Sequence, residues 1–107
     1  MALTCDINIQ ALKLLDKSTI FGHPIGIVIG KGAIIGMNCQ IGQNVTIGSR
    51  YPNDGLPCIG DNVFIGANAL LLGDILIGDN VKIGAGSIIL TDVPSNRTVV
   101  GLVKQSL

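Results

Sequence analysis

The sequence predicts an all-β fold, one parallel β-helix wound from six-residue repeats, and three observations predict it. From Ile29 onward every sixth residue is aliphatic: Ile29, Ile35, Ile41, Ile47, Asn53, Ile59, Ile65, Leu71, Ile77, Ile83 and Ile89, ten of eleven being Ile or Leu. Glycine follows at eight of those eleven positions, as in Gly30, Gly36, Gly42 and Gly66. The fifth position is mostly small or β-branched: Ala33, Cys39, Val45, Val63, Ala69, Ile75, Val81, Ser87 and Val93. Self-similarity at so short a fixed period is the mark of a stacked repeat.

Taken in chain order, residues 1–17 are an N-terminal lead-in without the period, and 11–17 (ALKLLDK) suit either a helical turn or irregular chain. The coil is expected over 18–94. A period of six matches neither the 3.6 of a helix nor the 2 of a long strand, but it suits a short strand, a tight turn and another short strand. The glycine after each column residue either takes a φ closed to other residues or lets a neighbouring rung crowd in. Asn in the pairs Gln43-Asn44, Asp61-Asn62 and Asp79-Asn80 tolerates the turn. One hexad departs: SRYPNDGLPC, between Ile47 and Ile59, carries two prolines and the turn signal Asn53-Asp54-Gly55. Proline cannot donate to a ladder, so 49–58 is expected to leave the wall as a loop, with the frame resuming at Ile59. Residues 95–107 are expected to be a C-terminal tail.

Composition narrows the function. The 107 residues hold seven basic and seven acidic side chains and no run of basic residues, so a phosphate-tracking nucleic-acid binder is set aside. Apolar stretches are broken well before the roughly 18 residues a membrane span needs. The first ten residues, MALTCDINIQ, lack a basic leader and carry Asp6 where an apolar signal core would lie, so the expected location is cytoplasmic. Cys5, Cys39 and Cys58 are odd in number and show no metal-ligand spacing, which suits a reducing compartment. No metal is expected. Cys39, at a fifth position, reads as a small buried hydrophobe.

The stretches HPIGIVIGKGAIIG, CQIGQNVTIGS and PCIGDNVFIGANALLLGDILIGDNVKIGAGSIIL, within residues 20–93, resemble the left-handed β-helix acyltransferases and serine acetyltransferase in particular. That resemblance implies a left-handed coil, an exception to the usual right-handed crossover. It also implies acetyl-CoA-dependent transfer to a hydroxyl, with His23, the only histidine, as general base. The chemistry agrees: a hydroxyl is a poor nucleophile at neutral pH, and a neutral imidazole is the side chain suited to take its proton. In the family a carboxylate orients that histidine, and Asp6 resembles the partner; Asp16 is the other choice. For coenzyme A the resemblance points to Ser49, Ala67 and Ala85, small residues that let a slender arm approach the wall. Lys82 and Arg97 read as solvated residues, with Lys82 placed to meet a cofactor phosphate. The family is trimeric, so a homotrimer is implied, with His23 facing a cleft that a second chain completes.

Departures from the pattern bear on the acceptor. Serine acetyltransferases end the loop with an Arg-His pair before the proline, where this chain has Gly55-Leu56-Pro57. An aspartate precedes their histidine, where this chain has Gly22. The acceptor is therefore left as L-serine or a sugar. γ-Type carbonic anhydrases share the coil but need three histidines per zinc, which one histidine per chain cannot supply at a two-chain interface. An ice-binding face is not indicated, because the five threonines are scattered over three hexad positions, none holding more than two, and form no rank. The alternative that stands is a non-catalytic solenoid scaffold or degenerate acyltransferase.

Overall fold

A computed structural model of the chain describes residues 25–105 together with the strand residues Asp6–Ile7 and Ile20–Phe21. Among them every regular element is a short strand. The lead-in contributes β1 (Asp6–Ile7) and β2 (Ile20–Phe21). A first coil follows with β3 (Val28–Ile29), β4 (Ile34–Ile35) and β5 (Gln40–Ile41). The next comprises β6 (Thr46–Gly48), β7 (Cys58–Ile59) and β8 (Phe64–Ile65). A third has β9 (Leu70–Leu72), β10 (Leu76–Ile77) and β11 (Lys82–Ile83). The chain closes with β12 (Ile88–Ile89), β13 (Thr98–Val99) and β14 (Leu102–Val103).

All pairings are parallel and build three walls. A six-stranded wall runs β1-β3-β6-β9-β12-β14, a three-stranded wall holds β4-β7-β10, and a five-stranded wall holds β2-β5-β8-β11-β13. The chain visits the walls in the order six, three, five. Register puts Ile29 beside Ile47, Ile47 beside Leu71 and Leu71 beside Ile89 in the first wall. Ile35, Ile59 and Ile77 align in the second, and Ile41, Ile65 and Ile83 in the third. Together with the fifth-position residues these three columns are buried and fill the coil. Burying aliphatics at about 25 cal/mol per Å² drives the stacking, and each rung satisfies the next one's amides.

Most of the glycines after the column residues serve the second of the two expected purposes, Gly48 being an exception. None of them has positive φ; a Cβ on Gly66 would stand 2.5 Å from the Ala85 nitrogen, and one on Gly42 would stand 2.8 Å from the Ala67 nitrogen. The left-handed conformation falls two residues later, on Asn44, Asn62 and Asn80, with φ of 56°, 60° and 59°. Asn tolerates that region better than other side-chain-bearing residues.

The frame is regular in its middle and shortens at its end. The pairs 29/47 and 71/89 are 18 residues apart, and 47/71 are 24 apart because the loop adds one hexad without shifting the columns. Val93, expected at a fifth position, instead bridges Ile77 and stands in a first-position column. The physical reason is Asp92: its Oδ1 accepts the Leu76 amide at 2.8 Å, closing the turn two residues early. The coil also continues beyond residue 94, where the sequence reading begins a tail: β13 pairs with β11 and β14 with β12. Within the lead-in, β1 pairs with β3. The segment 11–17 lies outside the described residues.

Candidate functional site

His23 and Asp16 lie outside the described residues. In the sequence His23 falls between β2, which lies in the five-stranded wall, and β3, which lies in the six-stranded wall. Asp6 is described through its backbone, in β1 and in register with Val28, five residues beyond His23.

Higher in the coil, the same five-to-six turn carries Gly42-Gln43, Gly66-Ala67 and Gly84-Ala85, one above another. The Asn68 amide donates to the Gln43 carbonyl at 2.9 Å and the Gly86 amide to the Ala67 carbonyl at 2.8 Å, which holds the stack in register. Small residues leave a groove of about 240 Å³ there, lined by Gln40, Gly42, Gln43, Phe64, Gly66 and Ala67 among others. A second depression of about 420 Å³ lies on the five-stranded wall, between Asn38, Gln40, Asn62, Phe64 and Lys82. Gln40 and Phe64 line both. Ala67 and Lys82 thus border one continuous surface, with Ala85 stacked above Gly66, whereas Ser49 sits at the opposite end of the six-stranded wall, exposed where β6 leads into the loop. The structure brings Ala67, Lys82 and Ala85, three of the four expected cofactor contacts, onto one side of the chain and leaves Ser49 on another. Lys82 and Arg97 are both exposed, and Cys39 is buried with its Sγ 3.2 Å from the Gly60 carbonyl oxygen. Among the described residues no three His, Cys, Asp or Glu side chains form a metal-binding group.

The loop between β6 and β7 is tied down more firmly than its composition suggests. The Asp54 carboxylate accepts the Gly55 amide at 2.9 Å and the Arg50 amide at 3.4 Å, and pairs with Arg50 Nε at 3.7 Å. The Arg50 guanidinium lies over the Tyr51 ring, 5.6 Å from its centroid. Sequence reasoning took Asn53-Asp54-Gly55 for a turn and missed Asp54 as the group that closes it, although Asp side chains commonly bond turn amides in this way. It also missed Leu56, which packs against the core over Gly30 and Gly32. Gly55-Leu56-Pro57 is therefore a structural element here: Gly55 backs onto Asp74, and Pro57 is buried with its carbonyl accepting the Ile34 amide at 3.1 Å.

This architecture defines the class of the protein, a parallel β-helix wound from hexapeptide repeats. Residues 59–91 match the bacterial transferase hexapeptide family, described as six repeats. The coil is similar to that of solved serine acetyltransferases, and by that likeness it is a left-handed parallel β-helix. The Neisseria gonorrhoeae enzyme in complex with serine is 49% identical, with a TM-score of 0.75 over 78% of this chain and 35% of that one. The soybean enzyme complexed with serine is 47% identical, with a TM-score of 0.75 and the same coverage. Entamoeba histolytica isoform 3 in complex with cysteine is 44% identical, with a TM-score of 0.72 over 76% of this chain and 29% of that one. The chain thus spans about a third of the length of these structures. No curated protein matches it.

Proposed function

We propose that the protein is an acetyl-CoA-dependent O-acetyltransferase, transferring an acetyl group to the hydroxyl of L-serine or a sugar. The observation that carries the reading is the likeness of the coil to solved serine acetyltransferases at 44–49% identity over three quarters of the chain. His23 acts as general base on the acceptor hydroxyl, which attacks the thioester carbonyl directly, so no acyl-enzyme forms. Asp6 orients the imidazole; what supports this is the pairing of β1 with β3, the strand that His23 leads into. Coenzyme A lies along the stacked turns at Ala67 and Ala85 and reaches toward Lys82, across a surface whose small side chains leave room for it. Ser49 joins the site from a neighbouring protomer of a homotrimer, because it stands on a different turn from Ala67 within one chain.

Two further points belong to this reading. Among the described residues no helix is long and apolar enough to cross a membrane, and a supply of acetyl-CoA with free thiols fits the cytoplasm. The test is thiol release from acetyl-CoA by the purified protein with serine and with sugars. His23→Ala is expected to lower kcat by roughly 10²–10⁴-fold, the usual worth of a general base, while coenzyme A binding and the trimer persist. Turnover retained in that variant would overturn the mechanism, and absence of both turnover and coenzyme A binding in the parent protein would favour a scaffold.

A further inference from the structure

We infer that the outer face of the three-stranded wall docks a basic amphipathic helix of a partner protein. Along β4, β7 and β10 the buried residues are Ile35, Ile59 and Ile77, and alternation sends their neighbours Ile34, Cys58 and Leu76 outward. Register places Cys58 beside both Ile34 and Leu76, so the three form one column with about 4.8 Å between rungs. Ile34 is 55% exposed and Leu76 56%. The five-stranded wall differs, because its outward column interleaves Phe64 with Gln40, Lys82 and Thr98. The six-stranded wall also shows apolar residues, Val28 and Leu102, but it runs between the turn that carries Ser49 and the turn that carries Ala67. The trimer proposed above brings those two turns together, which leaves the three-stranded wall facing outward.

Charge decides what fits there. Asp74 comes just before β10 and Asp79 just after it, so a carboxylate stands on either side of Leu76. Asp92 stands above, because Val93 bridges Ile77 and Asp92 Oδ1 accepts the Leu76 amide at 2.8 Å. Asp61 holds the place of Asp79 one rung lower, beside Cys58. Among the described residues none of these four carboxylates has a cationic partner. The cations lie elsewhere: Lys31 precedes β4, two rungs from Leu76, Arg50 is paired with Asp54 in the loop, and Lys82, Arg97 and Lys104 are in or beside strands of the other two walls. An apolar centre with an uncompensated acidic rim fits apolar side chains flanked by lysine or arginine and repels an anionic surface. The wall's own backbone is paired from rung to rung, so the partner meets it through side chains. In an α-helix laid along the coil axis, positions i, i+4 and i+7 recur about once per 5.4 Å turn, close to the rung spacing. Three such residues can sit over Ile34, Cys58 and Leu76 while basic side chains on the helix flanks reach the carboxylates.

The probe is a fluorescently labelled synthetic helix of about four turns, with leucine at i, i+4, i+7 and i+11, lysine on both flanks and alanine elsewhere. One control peptide has glutamate in place of lysine, and another scrambles the order at the same composition. Anisotropy titrations against the full chain are expected to show saturable micromolar binding of the lysine peptide alone, weaker at physiological than at low ionic strength. Leu76→Lys should weaken it at least tenfold and Asp79→Asn, which keeps the amide acceptor, roughly threefold, while Val100→Ser on another face leaves it unchanged. No binding, equal binding of either control peptide, or indifference to Leu76→Lys in a chain that melts like the parent overturns the proposal. So does a smaller assembly for Leu76→Lys in sedimentation velocity, which assigns the face to a second copy. Flotation of the parent but not of Leu76→Lys with phosphatidylcholine vesicles assigns it to a membrane and overturns the proposal equally. Acetyl transfer is tested separately by thiol release and stands or falls apart from this face.

Discussion

Arg50 lies across Gly73: a Cβ at residue 73 would come within 2.9 Å of the guanidinium Nε and 3.2 Å of Asp54 Oδ2. The loop is therefore seated on a rung of the next coil, where Gly73 also donates its amide to the Gly48 carbonyl at 2.8 Å. A side chain at 73 must both displace the Arg50–Asp54 pair and adopt a φ of +100°. Gly73→Ala is expected to cost about 1–3 kcal/mol and to loosen the loop specifically. Trypsin cleavage after Arg50, followed by mass spectrometry, should accelerate in the variant well beyond cleavage after Lys82.

The close approach of rungs separates glycines that look alike in the sequence. Gly66 and Gly48 both follow a column isoleucine, but a Cβ on Gly66 would meet backbone at 2.5 Å whereas one on Gly48 would meet nothing within 4 Å. Gly66→Ala forces the turns apart and is expected to destabilise by about 1–3 kcal/mol. Gly48→Ala should stay within about 0.5 kcal/mol of the parent. Thermal melts of the pair decide the point; equal losses would mean that close approach is not what the glycines provide.

The same contrast shows what the sequence carried. The period exposed the coil, its columns and the loop, because a residue repeated every sixth position has to stack on itself. It could not say that Gly48 is spared, since the space above it depends on how the loop re-enters the wall. Nor could it foresee the shortening at Val93, because the Asp92 side chain there supplies a bond to Leu76 that a regular rung takes from the backbone. The site was legible only in part for a related reason. Ala67 and Lys82 sit in the repeat, so their shared surface follows from the frame, while Arg50, Tyr51 and Asp54 are arranged by contacts within an aperiodic segment.

At the turn from the three-stranded to the five-stranded wall, side chains knit successive coils. Asp61 Oδ1 accepts the Met37 amide at 2.9 Å, Asp79 Oδ1 accepts the Asp61 amide at 2.7 Å, and Ser95 Oγ accepts the Asp79 amide at 2.9 Å. Two effects compete at Asp79. Its oxygen satisfies an amide, worth about 1 kcal/mol, but its charge stands one rung from Asp61, a repulsion of roughly 1 kcal/mol at about 5 Å in water. Asp79→Asn keeps the acceptor and removes the repulsion, so it should be neutral or slightly stabilising. Asp79→Ala loses the acceptor as well, and its urea midpoint should fall below that of Asp79→Asn. If the two variants melt together, the ladder contributes nothing.

Ser87 is the one polar residue in the buried column of fifth positions, fully enclosed where its counterparts are Val, Ala, Ile, Cys or Pro. Its hydroxyl donates to the Gly84 carbonyl at 2.7 Å and accepts the Gly101 amide at 3.1 Å. Gly101 belongs to the shortened final coil, in which Ile89 pairs with Val103 only 14 residues on. A turn cut short cannot reach the regular rung position, and the serine oxygen extends far enough to meet it. Ser87→Ala removes that bridge without adding bulk, leaving the Gly101 amide to find water at the edge of a closed interior. The expected loss is about 0.5–1.5 kcal/mol, the net worth of a hydrogen bond whose donor can turn to water, concentrated at the C-terminal coil, because stacked repeats couple mainly to their neighbours. Amide hydrogen exchange resolves this: protection should drop over residues 98–103 in the variant while Ile65 and Leu71 keep theirs. Uniform loss of protection along the chain would instead mean that the final coil and the central ones unfold as a single unit.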